Sequence, residues 1–254
     1  MDKLTVLIST LNGGINKLQK TVVQKNDILQ YIVIQQISDN KKYEIPYFLQ
    51  RKDIEVIQIL GSGLSKSRNA AIKNCKTKFA LLADDDLEYP NNFFEKILSK
   101  FRQNSDLVLA VFQIKTPDNE PSYKDYPKIS HNLKEKMHWL SSVEIAFDVE
   151  KIRAAKIKFD ERFGLCAKIT QGEEHIFVND VINNNLQAVY FPEEIVLHAF
   201  ESSGKRNFPS KKYYFYQGAI QSRTNSVKKF PKQINRFYYF CKGILYEKLT
   251  RKSQ

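Results

Sequence analysis

Short apolar runs alternate with stretches of helical spacing along the first 115 residues. Leu4-Thr5-Val6-Leu7-Ile8 reads as a buried strand that ends in the polar, glycine-containing loop Ser9-Thr10-Leu11-Asn12-Gly13-Gly14. A helix is expected after that loop, through about Asn26. Tyr31–Ile34 and Ile54–Ile59 read as a second and a third strand. Gly61-Ser62-Gly63 then turns the chain into Ser65-Lys66-Ser67-Arg68-Asn69-Ala70-Ala71-Ile72, a helix with Ser65 as its expected N-cap. Phe79–Ala83 is a fourth apolar run. Phe93, Phe94, Ile97, Leu98 and Phe101 recur at helical spacing, and Leu107–Ile114 is again strand-like. Strands apolar on both faces, alternating with helices, predict an α/β fold whose largely parallel sheet is covered on both sides. In such sheets ligands bind beyond the carboxyl ends of the strands.

The second half is less periodic. Thr116–Asn132 is rich in Pro, Tyr and Lys and predicts an irregular excursion; regular structure resumes near His138-Trp139. Phe159-Asp160-Glu161-Arg162-Phe163-Gly164 is a turn, and Gly172-Glu173-Glu174-His175 opens a helix to about Asn183. Ala188–Phe191 and Ile195–His198 read as two short strands. The pattern contains no internal repeat.

Charge changes the picture at the C-terminus. The net charge of the 254 residues is +12, and residues 205–254 hold 13 Lys/Arg against a single acid, Glu247. Residues 1–204 balance to zero. The same last fifty residues carry many aromatics, among them Tyr213-Tyr214-Phe215-Tyr216 and Phe237-Tyr238-Tyr239-Phe240. Such a mixture suits a helix lying in an anionic membrane interface. It also suits a helical appendage with its rings packed on the core and its lysines solvated. Nucleic-acid binding is a third reading and ranks last. Three scattered cysteines, Cys75, Cys166 and Cys241, make neither a disulfide framework nor a metal knuckle, so a reducing compartment is expected. No leader-like apolar segment opens the sequence, and no run approaches the ~20 residues that span a bilayer. A cytoplasmic or peripheral chain is expected, and the Lys-, Asn- and Ile-rich composition points to a bacterium.

The chemistry begins at Asp84-Asp85-Asp86, where the fourth strand ends in three adjacent carboxylates. Folding gains nothing from their mutual repulsion. Mg²⁺ and Mn²⁺ are often held by one or two carboxylates plus substrate phosphates, so a metal–diphosphate would complete the cluster. The plain alternative is a solvated acidic turn before the next helix. Glu173 and Glu174 either complement a helix dipole or supply a general base. His198 ends a strand, where structural histidines are common, and Gly204-Lys205-Arg206 follows as a basic loop. Ser65–Asn69 opens a helix whose free amides and cations suit an anion.

Taken in order, these pieces form a combination: a strand ending Ser9-Thr10-x-Asn12, then Gly63-Leu64…Arg68-Asn69-x-Ala71-Ile72, then Asp84-Asp85-Asp86. The FDERFG and GEEH elements and a strand-terminal His198 follow. The combination closely resembles the family 2 glycosyltransferases over about Leu4–Arg206. That resemblance implies a GT-A fold, a Rossmann-like mixed, mostly parallel sheet flanked by helices. It implies a domain over 1–204, with 1–115 binding nucleotide and 116–204 binding acceptor, and a basic aromatic helical extension over 205–254. The implied reaction is metal-dependent inverting transfer of a hexose-type sugar from a nucleotide-diphosphate donor, UDP-sugar favoured. The acceptor would be a saccharide, possibly lipid-linked, in surface polysaccharide or glycoconjugate synthesis at the inner face of the cytoplasmic membrane.

The resemblance also implies roles. Thr10, Leu11 and Asn12 would hold base and ribose, Arg68 would lie near base and diphosphate, and Asp84 near the ribose. Asp85, Asp86 and His198 would hold Mn²⁺ or Mg²⁺. The literal D-x-D spacing is Asp84-x-Asp86, whereas counting back from Pro90 pairs Asp85 with Ala83. Glu174 would be the base, Glu173 would bind acceptor hydroxyls, and Lys205 or Arg206 would close over the phosphates. The acidic pair that the family commonly has after the second strand is replaced by Gln35-Gln36, so Gln35 becomes the expected reader of the base. A nucleotidyltransferase, or a non-catalytic basic membrane- or nucleic-acid-binding protein, is the alternative reading.

Overall fold

The computed structural model describes residues 2–200, 210–224 and 234–251. A single eight-stranded mixed sheet forms its centre, in the order β3-β2-β1-β4-β7-β5-β8-β6. The strands are β1 (Leu4–Leu11), β2 (Leu29–Ile37), β3 (Ile54–Leu60), β4 (Phe79–Ala83), β5 (Leu107–Lys115), β6 (His131–Asn132), β7 (Ile145–Asp148) and β8 (Gln187–Leu197). β1 to β4 pair in parallel, as do β5 and β8. β7 runs antiparallel between β4 and β5, and β6 antiparallel to β8.

Strand periodicity divides the core between the two faces. Leu4, Val6 and Ile8 of β1 join one apolar cluster with Phe93, Phe94, Ile97 and Phe101 of α2 (Phe93–Gln103). Leu7 joins the opposite cluster with Ala71 and Ile72 of α1 (Leu64–Asn74). Phe177 and Val181 of α4 (Glu173–Asn183) lie in that second cluster, which also holds Val149 and Ile152 of α3 (Val149–Ala154).

Four local expectations are corrected. The helix expected through Asn26 is a six-residue 3₁₀ helix, Asn12–Lys17. Asn12 sits in the left-handed region (φ 50°), Gly13 and Gly14 disfavour a helix, and side chains tie the next segment to the loop after β4. Thr21 Oγ1 donates to Leu87 O at 2.7 Å, and Gln24 Nε2 donates to Tyr89 O at 2.9 Å. Ser65 is not a cap: Gly63, with φ 135°, occupies that position, and Ser65 Oγ donates to Phe163 O at 2.6 Å. The amides opening α1 are not all free, because Leu64 N–H donates to Leu165 O at 3.0 Å. The two late strands are one, β8, whose register against β5 shifts around Phe191-Pro192-Glu193. An irregularity there spares the ladder a proline that has no N–H.

Two C-terminal helices, α5 (Ser210–Arg223) and α6 (Ile234–Arg251), pack against each other. Gly218 meets the Phe240 carbonyl and Gly243 the Phe215 carbonyl, so the helices run antiparallel in close contact. Their inner side docks on the sheet domain, where Tyr216 and Ala219 join Phe163, Ile169 and Ile176 in a third apolar cluster. Arg223 bonds Asp160 (2.9 Å) and Asp180 (2.8 Å), and fully buried Glu247 accepts from Ser222 Oγ at 2.9 Å.

Candidate active site

A cleft of about 590 Å³ opens where β1 and β4 end and α1 and α4 begin. This is the position that the topology of an open α/β sheet assigns to a ligand. Arg68 stands at its centre. α1 carries the guanidinium inward, where it is 1 % exposed, over the Phe159 ring at 5.5 Å. Arg68 Nη1 reaches Glu173 Oε1 at 2.9 Å and Nη2 lies 3.4 Å from Asp84 Oδ1. One cation therefore joins the acidic turn after β4 to the first turn of α4. A buried, hydrogen-bonded ion pair of this kind fixes geometry more than it adds stability. Arg68 Nε has no partner among the described residues although it is buried.

The three aspartates diverge. Asp84 faces Arg68. Asp85 Oδ2 accepts from Thr10 Oγ1 at 2.5 Å and presses on Gly14, where a Cβ would collide with that carboxylate. Asp86 Oδ1 lies 3.6 Å from His198 Nε2. His198 Nδ1 faces its neighbour's carbonyl, Ala199 O, at 2.6 Å, so Nε2 is the ring nitrogen turned toward Asp86. The attraction of the His198 ring outweighs burial and holds the Asp86 carboxyl below its ordinary range; the same attraction raises the His198 ring.

Among the described residues no three His, Cys, Asp or Glu side chains converge as a closed metal cage. An open pair of one carboxylate and one imidazole, with a second carboxylate adjacent, fits a hard divalent cation that also takes phosphate oxygens.

Across the cleft, Gly172 (φ 90°) caps α4 and turns Glu173 and Glu174 inward. Glu173 is the partner of Arg68. Burial, then the charge of Glu174, raise its carboxyl against the pull of Arg68. Burial opposes ionisation of Glu174 too, but His175, with Nδ1 at 3.6 Å, prevails and holds its carboxyl low. Of the adjacent acids, Glu174 is the one that Arg68 does not hold, and it lines the cleft with its carboxyl kept low.

Thr10, Leu11, Arg68, Asp84, Asp85, Asp86, Glu173, Glu174 and His198 all line this cleft. Asn12 is engaged outside it, its Oδ1 accepting from Ser38 N–H at 2.9 Å. Gln35 is fully buried, donating to Asn12 O at 2.8 Å and accepting from Gln58 Nε2 at 2.9 Å. Its neighbour Gln36 reaches the cleft wall instead. Lys205 and Arg206 lie outside the described residues, whereas Lys212 of α5 does line the cleft. Sequence reasoning missed Lys124, Trp139 and Gln171, which also line it. They lie in segments without periodicity, and only a lone tryptophan in a polar stretch hinted at them.

The model of the family described as Glycosyl transferase family 2 matches residues 5–164. The chain is a family 2 glycosyltransferase. Among solved structures, S. aureus TarS 1–349 is similar at TM-score 0.64 with 13% identity, over 98% of this transferase and 73% of that chain. The complex of TarS 1–349 with UDP-GlcNAc gives TM-score 0.64 and 12% identity, over 99% and 73%. Its complex with UDP gives 0.62 and 11%, over 99% and 72%. At these identities the likeness establishes a shared GT-A type fold. No curated protein sequence matches the transferase.

Proposed function

We propose that this transferase moves a sugar, with inversion, from a nucleotide-diphosphate donor to a saccharide acceptor, using a divalent cation. The observation that carries the reading is the convergence, in one cleft, of Asp86–His198 on one side of Arg68 and Glu174 on the other. Residues 1–115 would supply the donor side and 116–204 the acceptor side. Asp86 and His198, with Asp85 beside them, would hold Mn²⁺ or Mg²⁺, which when bound neutralises charge on the leaving diphosphate. Arg68 orients the acids around the donor by pairing with Glu173 and Asp84. Thr10 and Leu11 flank the nucleoside, with Asp84 at the ribose. Glu174 accepts the proton of the attacking hydroxyl as its oxygen bonds to the anomeric carbon. The bond from that carbon to the phosphate oxygen breaks, and its electron pair leaves on the nucleoside diphosphate.

UDP-sugars are favoured because structures of the similar fold hold UDP and UDP-GlcNAc. A lipid-linked acceptor in surface-glycan assembly, met at the inner membrane face, fits the exposed stripe Tyr238, Lys242, Leu245 and Leu249 on α6. No helix among the described residues is long and apolar enough to cross a membrane.

The deciding experiment measures binding and slow hydrolysis across a panel of sugar nucleotides, with and without Mn²⁺, on wild type and Asp86→Ala. Metal-dependent binding of one donor, lost in the variant, is expected. Failure of the wild type to bind any donor would overturn the reading.

A further inference from the structure

A large apolar surface stands beside Glu174 that the steps above do not use. Trp139 is the chain's one tryptophan. It lines the cleft and yet is 55% exposed. Its ring centroid lies 5.0 Å from that of His175, whose Nδ1 is 3.6 Å from Glu174 Oε1. One ring therefore separates the indole from the base.

The backbone that carries Trp139 is held in place. Lys124 Nζ donates to the Trp139 carbonyl at 3.2 Å and to Glu144 Oε2 at 2.8 Å. Fully buried Glu144 also accepts from Tyr126 Oη at 2.5 Å and from the Ser141 N–H at 2.8 Å. The following residue, Leu140, is buried at 1% exposure. An indole on a backbone held this firmly, resting against His175 and left open, loses little conformational entropy when a flat apolar partner covers it. The same cleft holds a second unfilled group: Gln171 Nε2 is buried with no hydrogen-bond partner among the described residues. Buried amide donors are normally paired, so a ligand acceptor is the natural complement. The cation beside the indole, Lys124, is already matched to Glu144 at 2.7 Å and is not open to a sugar carboxylate.

We propose that Trp139 is the acceptor platform: it stacks on the C–H face of an uncharged hexopyranoside, Gln171 Nε2 donates to a ring substituent, and the attacking hydroxyl is thereby presented to Glu174. This rests on the reading of Glu174 as the base. Pyranose rings suit the site because they join one apolar face to a rim of hydroxyls, as the wall joins an indole to an amide.

Being the sole tryptophan, Trp139 reports on its own occupancy. Acrylamide quenching of its emission is measured with methyl glucoside, methyl galactoside, methyl N-acetylglucosaminide and methyl glucuronide, and with UDP alone. One neutral glycoside is expected to shield the indole, whereas UDP alone leaves quenching unchanged. Trp139→Ala is expected to raise the KM of that glycoside about tenfold, the worth of one aromatic stacking contact, with Trp139→Phe recovering most of it. Calorimetric UDP binding confirms that both variants are folded. Shielding by no glycoside, or by the glucuronide alone, overturns the platform, as does an unchanged KM in Trp139→Ala. If the wild type releases UDP from a sugar nucleotide under those conditions, the transferase reading survives and only the platform falls. If it releases none from any donor while a neutral glycoside shields Trp139, the platform stands and the catalytic reading falls.

Discussion

Glu173 and Glu174 are neighbours in sequence and opposites in environment. Glu173 turns to Arg68 at 2.9 Å, while Glu174 turns to His175. A carboxylate held low in a buried cleft is charged before substrate arrives, which suits a group that must accept a proton. Glu174→Gln keeps the shape and removes the basicity. Transfer should fall by about 10²–10⁴-fold in single-turnover assays, the usual worth of a positioned base. Donor affinity should change little. Normal transfer by that variant would reassign the base. A second residue-scale effect belongs to His138, whose ring nitrogens are buried without partners among the described residues and whose ring packs edge-on to Tyr190 at 4.7 Å. Burial, then the charge of Lys124, pull it from 6.5 down to about 4. The unfolded chain takes up this proton near 6.5 and the folded chain only near 4. The stability that His138 contributes is therefore complete above 6.5 and is lost as pH falls through that window. Urea midpoints from pH 7 to 4 should decline in the wild type and decline less in His138→Gln.

At the scale of elements, glycines decide how closely the helices approach. In an exposed helix, Gly→Ala stabilises by about 1 kcal/mol. At Gly243 a Cβ would run into the Phe215 carbonyl, and at Gly218 into that of Phe240. Neither obstacle is a flexible side-chain end. Gly243→Ala should therefore destabilise by about 1–3 kcal/mol, the usual range for overpacking. Faster hydrogen exchange confined to α5 and α6 would show it, and a gain in stability would contradict the packing. Gly172 serves the site in the same way. Its positive φ lets α4 begin at Glu173, and its missing side chain makes room for Ile220 of α5. The C-terminal pair thus buttresses the turn that aims the acids.

On the scale of the whole molecule, the charge asymmetry divides between structure and surface. Arg223 is paired with Asp160 and Asp180, and Arg251 with the segment's one acid, Glu247. Lys242 and Lys248 are exposed on α6 beside Leu245 (58% exposed) and Leu249 (64%). Each such lysine near an anionic bilayer is worth about 1 kcal/mol, screened by salt. The transferase should sediment with vesicles containing phosphatidylglycerol and not with neutral ones, and salt should release it. Leu245→Glu with Leu249→Glu should abolish sedimentation. Retention by that variant would place membrane contact elsewhere.

What the sequence determined alone is what depends on neighbours along the chain. Buried strands show as apolar runs, and α2 and α4 as phenylalanines and acids at helical spacing. The ordered motifs sufficed for the GT-A architecture and for Thr10, Leu11, Arg68, the three aspartates, Glu173, Glu174 and His198 of the cleft wall. The short β7, inserted antiparallel between β4 and β5, left no periodic trace, since four residues are too few to show one. Nor was it legible that Gln36 reaches the cleft and Gln35 does not, because one step along a strand reverses the face. Trp139, Lys124 and Gln171 became one wall only through contacts across tens of residues, as did the grip of Arg68 on both Asp84 and Glu173. The tertiary structure also decided that the basic tail buries one face and exposes the other. Where a side chain ends up depends on which elements pack beside it, and that information lies in the fold, not in the local pattern.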